Sequence, residues 1–376
     1  MTTRERERAR DRIAALAGEG LDLVAFWGAA DDAIAPHVPH YMGLCWFTLD
    51  PASLLITSHY NAFMPEFPHE ALATEYYEDD VHDLARVARS ADGVSTLHEA
   101  AGGDPSASPR WRANMEMAGD QELIAGLRTP RGDVWGALSV YREPGEPMFS
   151  AEEIGFLRDL TPVLAEGARR ALLLGEAQDP EGPQAPSLLV LSSAWEVESA
   201  TPGAERWISE LPGGDWDAGR LPAAVMSVAG RALRAAEGRD RGGDAAIARV
   251  LTRSGTWMVL HGATLGHGAG RRVAVILEPA QPARIAPLLM SAYGLSEREQ
   301  EVTRLVLQGE STTAIAARLV VSAHTVQQHL KSVFEKTGVR SRRDLVGKVF
   351  FAHYEPRLRD NESRATAGLP LRGGPV

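Results

Sequence analysis

At 376 residues, 44 % of them apolar and 24 % charged, the chain has an ordinary globular composition with room for two to three domains. Its net charge of −11 is unevenly spread: residues 291–350 hold nine Lys/Arg against six Asp/Glu (+3) and residues 351–376 four against three (+1), which leaves −15 for residues 1–290. The only lysines are Lys331, Lys336 and Lys348, so the first 330 residues offer no amine for a phosphate-binding P-loop, a Schiff base or an aspartyl-phosphate receiver.

No apolar run approaches the roughly 18 residues of a membrane span. The opening "MTTRERERARDRIAALAGEG" mixes Glu with Arg, and its apolar stretch is too short for a signal peptide. Cys45 is the only cysteine, which excludes an intrachain disulfide and a multi-cysteine zinc site. These features point to a cytoplasmic protein.

Taken in chain order, residues 1–19 are expected as a charged leading helix. Residues 43–50 ("GLCWFTLD") and 53–60 ("SLLITSHY") are expected as two strands joined by the turn "DPAS". The stretch "LRTPRGDVWGALSVYREPGEP" predicts a strand, a turn, a second strand and a loop, followed by a helix from about Ser150. Ser150 and Glu153 have the S-x-x-E spacing of a capping box, and Ile154, Leu157, Leu160 and Leu164 repeat at helical intervals. This order, with its "G-x-x-x-G-A-L-S-V" texture, resembles the end of a GAF domain and covers roughly residues 20–174. The resemblance implies an α/β sensor scaffold that admits a small-molecule cavity; the sequence names neither the ligand nor the pocket.

Proline, glycine and acidic residues cluster in "GEAQDPEGPQAP", residues 175–186, the expected linker. Beyond it, "SLLVLSSAWEVESATPGAERWISELPG" predicts a strand, a turn, a strand and a short helix. "LPAAVMSVAGRALRAA" predicts a second helix, and "AIARVLTRSGTWMVLHGATL" with "RRVAVILEPA" predicts three strands. That order resembles a PAS domain over residues 187–280, again an α/β scaffold.

Residues 291–352 change character. Ser296 and Glu299 form a second capping box, opening a helix that stops before Gly309. Ser311 can cap a second helix with Ile315, Ala316 and Leu319 on one face. Ser322 can cap a third, with Val326, Leu330, Val333 and Phe334 inward and Gly338 after its last turn. Ser341 and Asp344 start a fourth, whose apolar face is Leu345, Val346 and Val349. Four short helices with one stripe each can share a small core, and the two residues between Leu319 and Ser322 force helices two and three to cross steeply, as in a helix-turn-helix. One side of the third helix is left without a packing role: His324, Gln327, Gln328 and Lys331 line it.

The stretch "LSEREQEV…GESTTAIAARLVVSAHTVQQHLKSVFEKTGVRSRRDLV" resembles the DNA-binding module of LuxR/FixJ/NarL-type transcription regulators, in order and in spacing. The resemblance implies that the third helix enters the major groove of double-stranded DNA. By position, Gln327, Gln328 and Lys331 would face bases, while Thr325, Arg340 and Arg342 would meet phosphates. Glutamine can bond adenine bidentately, lysine prefers guanine O6 or N7, and arginine pins phosphates. His329, a hallmark position, could pack or touch the phosphate backbone. The sequence departs from the family at Gln327, where lysine is common, and at Thr313, where a basic residue is common. Both losses should lower non-specific affinity and shift base preference. The fourth helix is a common dimer contact in the family, and paired modules would read half-sites about one helical turn apart.

Other candidates have plainer readings. His37, His40 and Cys45 invite a metal, but the loop "HVPHYMGLC" fixes no helical i, i+4 face and supplies no fourth ligand, so no metal is expected. Cys45, inside a predicted strand, is expected to be buried rather than redox-active. Trp46, Phe47, Tyr60, Trp135, Trp195 and Trp257 are placed on predicted strands as packing residues, and the acidic pairs Asp31–Asp32 and Asp79–Asp80 as solvated surface. There is no G-x-S-x-G and no H-E-x-x-H. The tail, 355–376, is expected to be disordered. The expectation is therefore a multidomain chain: two α/β (α+β) sensor domains and an all-α four-helix LuxR-type module. It would be a DNA-binding regulator, expected as a homodimer, whose GAF-like and PAS-like domains sense a small-molecule effector or mediate dimerisation, with no catalysis, cofactor or membrane contact. The competing reading is a small-molecule-binding or redox signalling protein whose C-terminal helices dock a protein partner.

Overall fold

A computed structural model describes residues 3–63, 75–173, 186–192, 194–239, 245–266, 271–280 and 282–348. The expected disordered tail, Val349 in the fourth-helix face and nearly all of the expected linker lie outside the described residues. The chain divides into two compact units, one holding the residues up to 253 and 258–279, the other 254–257 and those from 280 onward.

The first unit opens with α1 (Thr3–Leu16) and α2 (Leu23–Ile34), then β1 (Tyr41–Leu49) and β2 (Ile56–Tyr60). Three short helices, α3 (Leu84–Arg89), α4 (Leu97–Ala100) and α5 (Pro109–Met115), surround β3 (Val94–Thr96). The hairpin β4 (Gln121–Arg128) and β5 (Val134–Arg142) leads to the long α6 (Ala151–Leu173). A second group follows: β6 (Ser187–Leu191), β7 (Val197–Ala200), α7 (Ala204–Glu210), α8 (Ala223–Ala236), β8 (Ile247–Leu251), β9 (Trp257–Leu265) and β10 (Arg272–Pro279). The two five-stranded sheets run β2-β1-β5-β4-β3 and β7-β6-β10-β9-β8, so the two groups share one strand order.

The expected hairpins and the capped helix at Ser150 are present. The Glu153 amide donates to Ser150 Oγ (3.3 Å) and Ser150 donates its own amide to Glu153 Oε2 (2.8 Å), closing the box. Phe156, Leu157, Leu160 and Leu164 of α6 bury with Ile13, Phe26 and Trp27 against Trp46, Leu138 and Val140 on one sheet face. Gly167 is required there: a Cβ would sit 2.0 Å from the Phe26 ring.

The other face of the first sheet carries Cys45, Phe47, Ile124 and Tyr141, and these share one hydrophobic core with Val225, Met226 and Val228 of α8 and with the inner face of the second sheet. The edge strand β2 is closed by side chains. The Ile56 amide donates to Tyr76 OH (2.6 Å), and the Ile56 carbonyl accepts from the Ser227 hydroxyl of α8 (3.0 Å). Buried Asp50 accepts from the Arg249 amide (2.8 Å), Nε (2.8 Å) and Nη2 (2.6 Å). The two sheet-bearing groups are thus one folded body.

Three sequence expectations are corrected. Asp80 is buried, not solvated: it accepts from the Ser108 hydroxyl (2.6 Å) and from the amides of Arg110 (3.0 Å) and His82 (3.0 Å), because two turns converge on it. Asp31 is partly buried 3.7 Å from His40, and burial raises its pKa. Trp195 is in the turn between β6 and β7 with φ +64°, edge-on to Tyr77, rather than on a strand.

The second unit is helical: α9 (Pro282–Ala292), α10 (Glu297–Leu307), α11 (Thr312–Leu319), α12 (Ala323–Thr337) and α13 (Arg342–Val346). Met290, Leu295, Val302, Val306, Ile315, Val326, Leu330, Val333 and Leu345 form its core. Among the described residues, no helix is long and apolar enough to cross a membrane.

Candidate nucleic-acid interface

Each helix of the module starts where a serine can accept a backbone amide. Ser296 accepts from Glu299 (3.3 Å), Ser311 from Ala314 (3.1 Å), Ser322 from Thr325 (3.0 Å) and Ser341 from Asp344 (3.1 Å). Such caps satisfy one of the four amides a helix start leaves unpaired, worth about 1 kcal/mol each. They fix where α12 begins, and so which residues share its outer face.

At roughly 100° per residue, His324, Gln327, Gln328, Lys331 and Glu335 fall within an arc of about 100° on α12. All five are exposed, whereas Val326, Leu330, Val333 and Thr337 on the opposite side are buried. Gln327 Nε2 reaches Thr312 Oγ1 at 3.4 Å, and Gln328 Nε2 lies 3.4 Å from His324 Nε2. Both contacts are long and solvent-facing, so exchanging them for other partners costs little. Lys331 has no hydrogen bond or ion pair among the described residues. Glu335 ends the row with an opposite charge, so the polar face suited to a polyanion spans only the first three turns.

The turn before α12 has an unusual residue. Val320 closes α11 in the left-handed conformation (φ +54°, ψ +49°) and is 89 % exposed. The Val321 amide returns to the Ala316 carbonyl (3.0 Å), the bond that normally follows a glycine at this position. Arg298 of α10 donates to the Leu319 carbonyl (2.8 Å), covering another orphan acceptor at the end of α11.

Several cations of the module are engaged internally. Lys336 Nζ donates to both oxygens of buried Glu299 (2.8 and 2.6 Å), and the Ser332 hydroxyl adds a third bond (2.7 Å). Although burial opposes ionisation, the Lys336 and Ser332 bonds hold the Glu299 carboxyl down to about 2. This ties the start of α10 to the third and fourth turns of α12. Sequence reading found the Ser296–Glu299 box but not this second use of Glu299; the signal is the i, i+4 pair Ser332–Lys336 beside the core stripe. Lys348 donates to the Thr337 carbonyl (2.8 Å) and lies 5.5 Å from the Tyr293 ring centre.

The six residues expected to meet DNA therefore differ in state. Gln327, Gln328 and Lys331 lie together on the open face of α12. Thr325 sits at its first turn, its hydroxyl 2.8 Å from Ser322 Oγ. Arg340 is exposed beyond the end of α12. Arg342, half-buried, donates to the Glu310 carbonyl and so braces α13 against the turn before α11. His329 is half-buried on the flank it shares with Thr325, Ser332 and Lys336, next to the buried stripe and off the polar row.

In the first unit, Cys45 is fully buried with Asn61 Nδ2 3.1 Å from its sulfur, and burial pushes its thiol up to about 12. His37 packs edge-on against Phe156, while the His40 ring bonds the Val38 carbonyl (2.8 Å). A buried set that sequence reading missed lies below β4. Arg110 forks onto Glu122 (2.6 and 2.7 Å) and reaches Glu75 (2.5 Å), and Asn114 and Tyr141 complete the shell of Glu122 at 3.0 Å each.

The family model "Bacterial regulatory proteins, luxR family" matches residues 294–349, inside the expected module. The chain's C-terminal domain is thus a LuxR-family helix-turn-helix. Among solved structures, the chain is similar to VqmA of Vibrio cholerae in complex with ligand and DNA, at 16 % identity over 51 % of this chain and 89 % of that one, with a TM-score of 0.21. PelD from Pseudomonas aeruginosa matches at 15 % identity over 76 % and 82 %, TM-score 0.29. A bacteriophytochrome from R. palustris matches at 12 % identity over 74 % and 63 %, TM-score 0.29. These likenesses are too distant to transfer a residue role.

Proposed function

We propose that the chain is a DNA-binding transcription regulator in which α12 lies in the major groove and the two-sheet body acts as the sensor. The observation that carries this reading is the open polar row of α12 within a LuxR-family module. Gln327, Gln328 and Lys331 have bidentate or cationic chemistry suited to base edges and almost no competing partner. Thr325 and the unpaired amides at the start of α12 suit a phosphate, because a helix N-terminus carries partial positive charge. Arg340 serves as a second phosphate contact. Arg342 acts chiefly by holding the turn through the Glu310 carbonyl, its other N–H groups serving as a phosphate contact.

In this reading the two sheets, GAF-like and PAS-like in strand order, bind a small-molecule effector and form a homodimer in the cytoplasm, and the chain performs no catalysis. Effector binding would bias how the paired modules are presented, a population shift rather than a chemical step. A redox-signalling alternative draws little support from Cys45, whose burial keeps it a thiol. The test is affinity for duplex DNA across a salt series. Affinity should fall steeply with rising salt as phosphate counterions are released; absent or salt-indifferent binding removes the reading.

A further inference from the structure

The second sheet has a partly exposed apolar face that the DNA-reading role does not use. An antiparallel sheet packed on one side ordinarily alternates apolar-in and polar-out. Along β10, Val273, Val275 and Leu277 point into the core. The outward set is Arg272, Ala274, Ile276 and Glu278, with the charges at the two ends; Arg272 and Ile276 are exposed, Glu278 is half-buried, and the small Ala274 is buried between its neighbours. Ile276 is 40 % exposed. Pairing extends this face sideways: Ile276 stands beside Leu188 of β6 and His261 of β9, and Ala274 beside Val190 and Ala263. Leu265, paired with Arg272, is 44 % exposed.

We propose that this face binds the same face of a second copy of the chain. A two-fold axis lying in the interface, perpendicular to β10 and passing beside Val275, stacks the two central strands antiparallel. Arg272 then faces the partner's Glu278 at both ends. Ile276 lies over the partner's Ala274, and His261 over the partner's Ala263, large against small. A pattern that is complementary to its own reverse is what an isologous contact requires. At strand spacings of about 4.8 Å and a rise of about 3.4 Å per residue, the five strands of this sheet, 31 residues in all, cover on the order of 500 Å² per copy. The roughly 1,000 Å² total is about the threshold for a specific interface. The existing neighbours of the two charges, Glu198 beside Arg272 and His261 3.1 Å from Glu278, hold them in place at the rim.

This interface supplies the pairing that the regulator reading calls for, and it is tested without DNA. Full-length protein is measured by native mass spectrometry and sedimentation velocity. The wild type is expected to be a dimer, and Ile276→Glu to weaken it at least about tenfold by burying two unpaired carboxylates. Arg272→Glu sets Glu against the partner's Glu278, and Glu278→Arg sets Arg against the partner's Arg272, so each alone should dissociate. Mixed together, these two chains should form heterodimers, because every facing pair is again opposite in sign. A monomeric wild type, variants that dimerise as the wild type does, or a mixture with no heterodimer each overturn the proposal. A monomer that still selects a DNA sequence would remove this interface and leave the DNA-binding reading intact.

Discussion

Under the proposed function, Gln328 and Glu299 divide the polar residues of one module between reading and holding. Gln328 has only a 3.4 Å contact with His324, so its amide is available to a base edge. Replacing it with alanine should cost about 1–3 kcal/mol at a preferred site and little on random duplex, compared by competition binding. Equal losses on both would place it on the backbone instead. Glu299 is the reverse case, with both oxygens bonded inside the domain. Its carboxyl is held at about 2, against 4.5 for an unperturbed glutamate. The depressed value means that its contribution is fully present above about pH 4.5 and is lost as pH falls toward 2. With Lys336 partly exposed, a contribution on the order of 2 kcal/mol is expected after allowing for solvent screening. Denaturant unfolding of the wild type and Glu299→Gln should differ at pH 7, draw together below about pH 4.5 and converge only near pH 2; a gap that does not change with pH would contradict this. Sequence alone separates these roles only in part. Spacing locates both faces of α12, but Lys336 and Lys331 look alike until α10 is folded against the helix.

At the scale of elements, the legible parts were those with a local signal. Serine caps and one apolar stripe per helix located α10 to α13, and alternating apolar runs located the β1–β2 and β4–β5 hairpins. The region between β2 and β4 was not legible, because α3, α4 and α5 are six, four and seven residues long and show no period. Local caps at Asp83, Thr96 and Ser108 start these helices, but the bonds that set the region, Ser108 to Asp80 and Arg110 to Glu75, join residues 28 and 35 positions apart. The α2 helix, "LVAFWGAADDAI", escaped because it buries Phe26, Trp27, Ala30, Ala33 and Ile34 with few polar residues to mark an outer face. The α11–α12 turn supports a prediction of its own. A β-branched residue at φ +54° is strained, and Val320 is exposed, so little packing is lost on replacing it. Val320→Asn should raise stability by about 1 kcal/mol in thermal unfolding, because asparagine tolerates the left-handed region; unchanged or lowered stability would show that the strain is relieved elsewhere.

For the whole molecule, two sheets of the same strand order fold as one body, joined where α8 and Arg249 close the edge of β2. Sequence reading placed a linker between them and could not see the shared core, since nothing local marks Ser227 or Asp50 as contacts. Removing Arg249 leaves the Asp50 carboxylate buried without its cation. Arg249→Ala should therefore destabilise this unit by about 3–5 kcal/mol in denaturant unfolding, and a loss within 0.5 kcal/mol would mean the clamp is incidental. Central to the proposed function is that α12 reads duplex DNA. The most direct test is selection from a random duplex pool by the full-length protein, alongside Gln328→Ala and Lys331→Ala chains. The wild type should recover a shared sequence, and each variant should relax it at one position per half-site. If the wild type enriches no sequence, or if both variants enrich the same sequence as the wild type, α12 is not the reading element.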